Sequence, residues 1–130
     1  MKKPTVHGFP QKSLEVNGMQ IITADDELFN HVDENLPMWS QDGDRMVRVD
    51  VSFTRPFANV PCVTLGLTGI DASHDQNLRF WLKALDVKKE GFTIEFSTWS
   101  DTHIARASVS WQAIGQAKPD IVKAASKATT

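Results

Sequence analysis

From Met46 to Phe53 the chain alternates: Val47, Val49, Val51 and Phe53 fall on one side, with Arg48, Asp50 and Ser52 on the other. A period of two over that length predicts a half-buried β-strand. Pro56 ends the run, and Val63, Leu65 and Leu67 resume alternation against Thr64, Gly66 and Thr68 until the polar stretch from Asp71 to Gln76. Leu78, Phe80, Leu82 and Ala84 predict a third strand. Lys88-Lys89-Glu90-Gly91 then supplies a polar turn, with a glycine free to take positive φ. Phe92, Ile94 and Phe96 make a fourth strand, and Ala107, Val109, Trp111 and Ala113 a fifth that closes at Gly115. Met19 to Thr23 supplies a sixth. Strands at short spacing, with turn signals between them and no convincing amphipathic helix, predict an all-β, six-stranded antiparallel β-sandwich.

Outside this pattern the periodicity fades. Residues 1–16, with Pro4, Gly8 and Pro10, read as an N-terminal arm, 17–115 as the sandwich and 116–130 as a C-terminal tail. Within the tail, Pro119 through Ala128 has Ile121, Val122 and Ala125 spaced for one side of a short helix. The arm is a candidate docking segment, since a short extended peptide can add a strand or fill a groove on another protein.

Composition narrows the function classes. With 130 residues, 41% hydrophobic and 23% charged, the chain is expected to be one soluble domain. Fourteen basic and sixteen acidic residues leave a net charge of −2 and no basic stripe, which argues against a nucleic-acid surface. No apolar run approaches the ~20 residues of a membrane span. Met1-Lys2-Lys3 leads into Pro4-Thr5-Val6-His7-Gly8 rather than an apolar signal segment, so no secretion signal is read and synthesis is expected in the cytoplasm. Cys62, alone in the chain, reads as a partly buried, unreactive thiol.

The stretch Ser97-Thr98-Trp99-Ser100-Asp101-Thr102, with Asn77-Leu78-Arg79 before it and Val109-Ser110-Trp111 after it, carries the chemistry. An indole face stacks on the C–H patch of a pyranose, while arginine and aspartate bond hydroxyls in a directional, charge-assisted way. No metal or cofactor is required. His74, Asp75 and Asp71 lack the spacing and histidine count of a metal site and read as a solvated loop, and Asp25, Asp26 and Glu27 read as a short exposed acid run. Trp81 reads as a subunit contact and Trp111 as core. Catalysis is not expected: a glycosidase needs two carboxyls about 5 to 9.5 Å apart on rigid supports. Asp42 with Asp44 lies on one short loop, Asp101 with Asp42 is the only other candidate pair, and no nucleophile elbow or phosphate-cradling loop occurs.

From about Met19 to Gly115 the chain resembles the H-type lectin family of the snail agglutinin and the discoidin C-terminal half. The likeness rests on Phe53, Arg55-Pro56-Phe57, Pro61, Gly69-Ile70-Asp71, Asn77-Leu78-Arg79, Gly91-Phe92, Thr98-Trp99 and Ser110-Trp111. It implies a homotrimer with sugar sites between subunits and a preference for galactose or N-acetylgalactosamine. Residue by residue, the family aspartate falls on Asp42, its arginine on Arg79 and its stacking tryptophan on Trp99. A family histidine is Ser100 here, a glycine is Ser40, and a second aromatic, a tyrosine, falls on Ala105. Trp39 and His103 are the residues placed to compensate for the missing ring. Plainer roles stand beside these: packing for Trp39 and Trp99, and an ion pair with Asp42 for Arg79. The resemblance thus implies a multivalent carbohydrate-binding lectin acting on cell-surface or host glycans. The alternative is a structural subunit, such as the spike or fibre of a phage-like particle, that keeps the fold and has lost the sugar site.

Overall fold

The computed structural model describes residues 5–6 and 9–119. Among them the strands are β1 (Thr5–Val6), β2 (Gln11–Val16), β3 (Met19–Asn30), β4 (Arg45–Ser52), β5 (Cys62–Ala72), β6 (Trp81–Leu85), β7 (Gly91–Thr98) and β8 (Ile104–Gln116), with one helical turn, α1 (Pro37–Ser40), before β4. They form two four-stranded sheets, ordered β1-β4-β7-β6 and β2-β3-β8-β5. All pairings are antiparallel except the two-residue β1 against β4. The all-β sandwich is therefore as the alternation predicts.

Period-two burial is clearest in β7, where Phe92, Ile94, Phe96 and Thr98 are buried and the residues between them are not. Val49, Val51 and Phe53 follow from β4 and its end, and Ala107, Val109, Trp111 and Ala113 from β8. Trp111 packs among Phe53, Phe92 and Phe9, with ring centroids 5.8, 5.3 and 6.4 Å away. At about 25 cal/mol per Å² of apolar surface, these aromatic rings dominate the gain from closing the sheets on each other.

Several details differ from the sequence reading. Two further strands appear, β1 and β2. The stretch Phe9 to Val16, read as part of an arm, is built into the sandwich: Phe9 is buried, β2 pairs along β3, and the Gln11 amide donates to the Ser52 carbonyl at 2.7 Å. The β2–β3 hairpin turns at Asn17-Gly18, both left-handed with φ of 52° and 81°, the turn type that matches strand twist. Strand β3 continues through Asp25-Asp26-Glu27 to Asn30, past a bulge between Glu27 and Phe29 that lets Leu28 and Phe29 both reach the core. Cys62 is exposed rather than partly buried, because Val63 and Leu65 take the inward phase of β5. A second bulge, between Leu67 and Gly69, resets that phase, so Leu67 is exposed while Ile70 and Ala72 pack inward. Leu78 is exposed and precedes the third expected strand, which starts at Trp81. Gly91 lies in β7, and among the described residues the left-handed glycines are Gly18 and Gly43. The C-terminal helix expected over Pro119 to Ala128 lies, beyond Pro119, outside the described residues.

Candidate carbohydrate-binding site

Two loops meet at one end of the sandwich: 41–44, between α1 and β4, and 99–103, between β7 and β8. Their join is Arg45. It falls in the inward phase of β4 with Val47 and Val49, yet carries a guanidinium, and it is 8% exposed. Its Nε donates to the Gly43 carbonyl at 2.8 Å, Nη1 to those of Met38 and Pro37 at 3.3 and 3.4 Å, and Nη2 to that of Ser100 at 3.1 Å. The Gly43 N–H donates to the same Ser100 carbonyl at 2.8 Å. Burial draws the Arg45 pKa down and the charges of Asp42 and Asp44 oppose that, so the guanidinium stays charged between the loops. Both loops bend through left-handed residues, Gly43 at φ 85° and Ser100 at φ 62°.

On this frame the predicted residues fall into neighbouring groups. Asp42 Oδ1 lies 2.7 Å from His103 Nε2, and the His103 ring stands edge-on to Trp39 with centroids 6.4 Å apart. The Ser73 N–H donates to the His103 carbonyl at 2.9 Å and holds that residue in place. In the second group, Arg79 Nη1 donates to Asp101 Oδ1 at 2.7 Å and to Thr102 Oγ1 at 3.0 Å. Thr102 is buried, and its hydroxyl donates to the Asn77 carbonyl. Thr98 Oγ1 donates to the Arg79 carbonyl. Among the described residues the Arg79 side chain bonds only through Nη1, including a 3.4 Å contact to the Asn77 carbonyl, and Nε and Nη2 make no hydrogen bond. Trp99 stacks on Trp81, centroids 6.2 Å apart and planes 22° apart.

Arg79 and Asp42 do not pair with each other; each has its own partner, Asp101 and His103. Ser40 is exposed, but its hydroxyl donates back to the Leu36 carbonyl at 3.0 Å, which leaves it only acceptor capacity for a ligand. Ser100 holds the frame through its carbonyl and has an exposed side chain. Ala105 is buried, its carbonyl taken by the N–H groups of His31 and Val32 at 2.7 and 3.2 Å. With alanine at this position the second ring is absent, and His103 is the ring that stands beside Asp42. Arg45 and Trp81 were missed as parts of this end of the molecule. A charged residue in the apolar phase of β4 was the available signal for the first.

Asp101 is exposed, and the hydrogen bond from Arg79 holds its carboxyl below the ordinary aspartate range. The folded value being depressed, any stabilisation from the pair is present above the ordinary carboxylate pKa and is lost as pH falls through the lowered one. A ¹³C NMR titration should place the Asp101 midpoint below that of an unpaired aspartate and return it to the ordinary value in Arg79→Ala. Equal midpoints in the two proteins would remove the pairing from the site.

Trp99 also walls a cleft of about 310 Å³ with Asp44, Arg45, Met46, Glu95 and Ser97. A larger hollow, about 470 Å³, lies on the outer face of the other sheet around Lys12, Thr23, Ser110 and Gln112, away from both loops. The smaller cleft is the better continuation of the site because it shares Trp99 and Arg45 with it. Among the described residues no histidine, cysteine and carboxylate group is arranged to hold a metal ion. No helix there is long and apolar enough to cross a membrane.

The profile of the H-type lectin domain matches residues 48–114. The chain belongs to the H-type lectin domain family. This H-type lectin domain is also similar to "ATP synthase subunits region ORF 7" of Fuscovulum blasticum, 41% identical over 93 residues that cover 72% of the chain and 81% of the relative. Among solved structures, wild-type discoidin II of Dictyostelium discoideum superposes with a TM-score of 0.67 at 21% identity, over 77% of the chain and 38% of discoidin II. Recombinant native discoidin II gives 0.66 at 21%, over 81% of the chain and 41% of its own. The H-type lectin domain thus shares its fold with about two fifths of the discoidin II chain. Family and fold together support a carbohydrate-binding role.

Proposed function

We propose that this domain is a multivalent lectin that binds galactose- or N-acetylgalactosamine-like residues of a surface polysaccharide through Asp42, Arg79 and Trp99. The observation that carries this reading is the Arg79 clamp. Asp101 and Thr102 fix one edge of the guanidinium, and among the described residues its Nε and Nη2 make no hydrogen bond. A sugar diol would take a donor from Arg79 Nη2 and an acceptor in the free oxygen of Asp42, while a C–H face rests on Trp99. Ser100, Ser40, His103 and Trp39 would surround it, with His103 fixing Asp42 in place of a second stacking ring. Binding without turnover fits the same groups, since a carboxyl held ionised by arginine is a poor general acid.

Assembly as a homotrimer would raise avidity by on the order of 10²-fold or more when ligands can be spanned. A surface suited to self-association exists. Leu14, Ile21, Ile114 and Cys62 lie in one register row across β2-β3-β8-β5, and Val16 and Met19 follow in the next. Leu14, Val16, Met19 and Ile114 are 58, 52, 46 and 37% exposed, and no charged residue stands in either row. Copies meeting there would bury apolar surface without opposing like charges.

A glycan array of animal and bacterial capsular glycans, run with the wild type and Arg79→Ala, tests the reading. The wild type should bind, and the variant should bind roughly 10- to 100-fold more weakly, as expected for hydrogen bonds from a charged donor. The second reading, a spike or fibre subunit with a lost sugar site, is favoured by Ala105 and Ser100 standing where the family has a tyrosine and a histidine. A silent array with folded, assembled wild-type protein would establish it over the first.

A further inference from the structure

Trp81 opens β6 on the outer face of its sheet and is 58% exposed. Register places it beside Ser97 of β7, which in turn lies beside Met46 of β4, itself 53% exposed. The next row of the same face is Lys83, Glu95 and Arg48. Lys83 Nζ stands 5.7 Å from the Trp81 ring centroid, and Glu95 takes Arg48 at 2.8 Å. Trp99, stacked on Trp81, also walls the cleft that holds Asp44, Ser97 and Met46. The outer face therefore carries two stacked indoles with planes 22° apart, with hydroxyl, carboxylate and ammonium groups around them.

We infer that Trp81, with Trp99 and the adjoining cleft, is a second sugar subsite that seats the neighbouring residue of a glycan chain, so that the ligand is an oligosaccharide segment rather than a single terminal sugar. This rests on the carbohydrate reading of the Asp42–Arg79 site. An indole exposes on the order of 150–250 Å² of mostly apolar surface, and a sugar's C–H face covers it while its hydroxyls turn to polar neighbours. Those neighbours are present: Ser97 and Asp44 in the cleft, and Lys83 over Trp81. The two subsites share one support. Trp99 is followed directly by Ser100, whose carbonyl is held by Gly43 and Arg45, so the platform and the Asp42 loop keep a set separation. A second copy of the chain is the competing occupant. It is the poorer fit, because this face carries the charged row of Lys83, Glu95 and Arg48, whereas the charge-free apolar rows lie on the outside of the opposite sheet.

Trp81→Ala and Trp81→Phe are compared with the wild type and Arg79→Ala on a ladder from mono- to hexasaccharide. The ladder includes galacto-oligosaccharides and capsular fragments, and sedimentation velocity and circular dichroism are measured in parallel. The wild type should gain about tenfold in affinity from the first residue to the longer chains. Trp81→Ala should lose that gain and keep its assembly, with a loss on the longer chains that exceeds any loss on the monosaccharide, and Trp81→Phe should recover part of the gain. Unchanged chain-length dependence in Trp81→Ala overturns the subsite, as does loss of assembly with the gain intact. A wild type that binds no member of the ladder, or an Arg79→Ala that binds as well as it, sinks the carbohydrate reading itself and the subsite with it. The two failures are therefore told apart.

Discussion

Arg45→Met should lower stability by about 3 kcal/mol and abolish glycan binding, although Arg45 is buried behind the loops rather than offered to a ligand. Four carbonyls, from Pro37, Met38, Gly43 and Ser100, are gathered on one guanidinium. Each bond from a charged donor is worth roughly 1.5–3 kcal/mol, and an orphaned buried acceptor costs about 1–3. Methionine replaces the volume and none of the donors. The estimate stays well below the sum because the loops can open and water can reach the freed carbonyls. That opening is what removes function: the Asp42 loop and the Trp99–Thr102 loop would no longer be held together. Lysine should rescue little, since a single ammonium cannot span carbonyls on both loops as the planar fork does. Urea denaturation gives the stability loss, and titration with whichever glycan the wild type binds gives the loss of function. A variant with wild-type midpoint and affinity would show that the loops are set by other contacts.

Gly91→Ala should cost about 3 kcal/mol or more, for a reason unrelated to backbone torsion. A Cβ built at Gly91 lies 2.0 Å from the Val51 carbonyl oxygen, 3.1 Å from its carbon and 3.2 Å from Ser52 Cα. These are backbone atoms of the facing strand, and they cannot turn aside as a side chain would. Gly91 pairs with Ser52 at the end of the β4–β7 ladder, and the Phe53 N–H donates to Glu90 at 2.8 Å just beyond it. Relieving the clash therefore parts the strands where Phe53 and Phe92 enter the core. Gly18→Ala is the control. There a Cβ meets nothing within 4 Å, so only the left-handed φ of 81° opposes it, at roughly 1–2 kcal/mol. Thermal unfolding of the two variants should rank Gly91→Ala as clearly the worse. The reverse order would mean that the strands yield more easily than their pairing implies.

Gly91 shows how sequence reading succeeds in one respect and fails in another. Its neighbourhood was correctly seen as the start of a strand, but the glycine was assigned to turn torsion. Its actual need is set by a carbonyl contributed by a strand some forty residues earlier. Asn17-Gly18 is the opposite case: the dipeptide is itself a strong hairpin signal, and β2 went unread because Gln11–Val16 is an edge strand exposed on almost every residue. Without a buried face there is no apolar period to detect. At the site, Asp42, Arg79, Trp99 and His103 were legible as residue types. Their partners were not: Arg79 meets Asp101 and Asp42 meets His103, rather than each other.

What the sequence by itself determined is the sandwich. Period-two alternation in β4, β7 and β8 assigns each strand an inner and an outer face, and two apolar faces can leave water only by closing on each other. Tertiary structure alone decided the geometry of the end that carries the candidate site. Ser100 lends its carbonyl rather than its side chain, and Arg45 draws two distant loops to one guanidinium. The physical reason is that burial of a face follows from local periodicity. Hydrogen bonds between loops depend on where bulges and strand register leave each chain end, and neither is written in the spacing of any one segment.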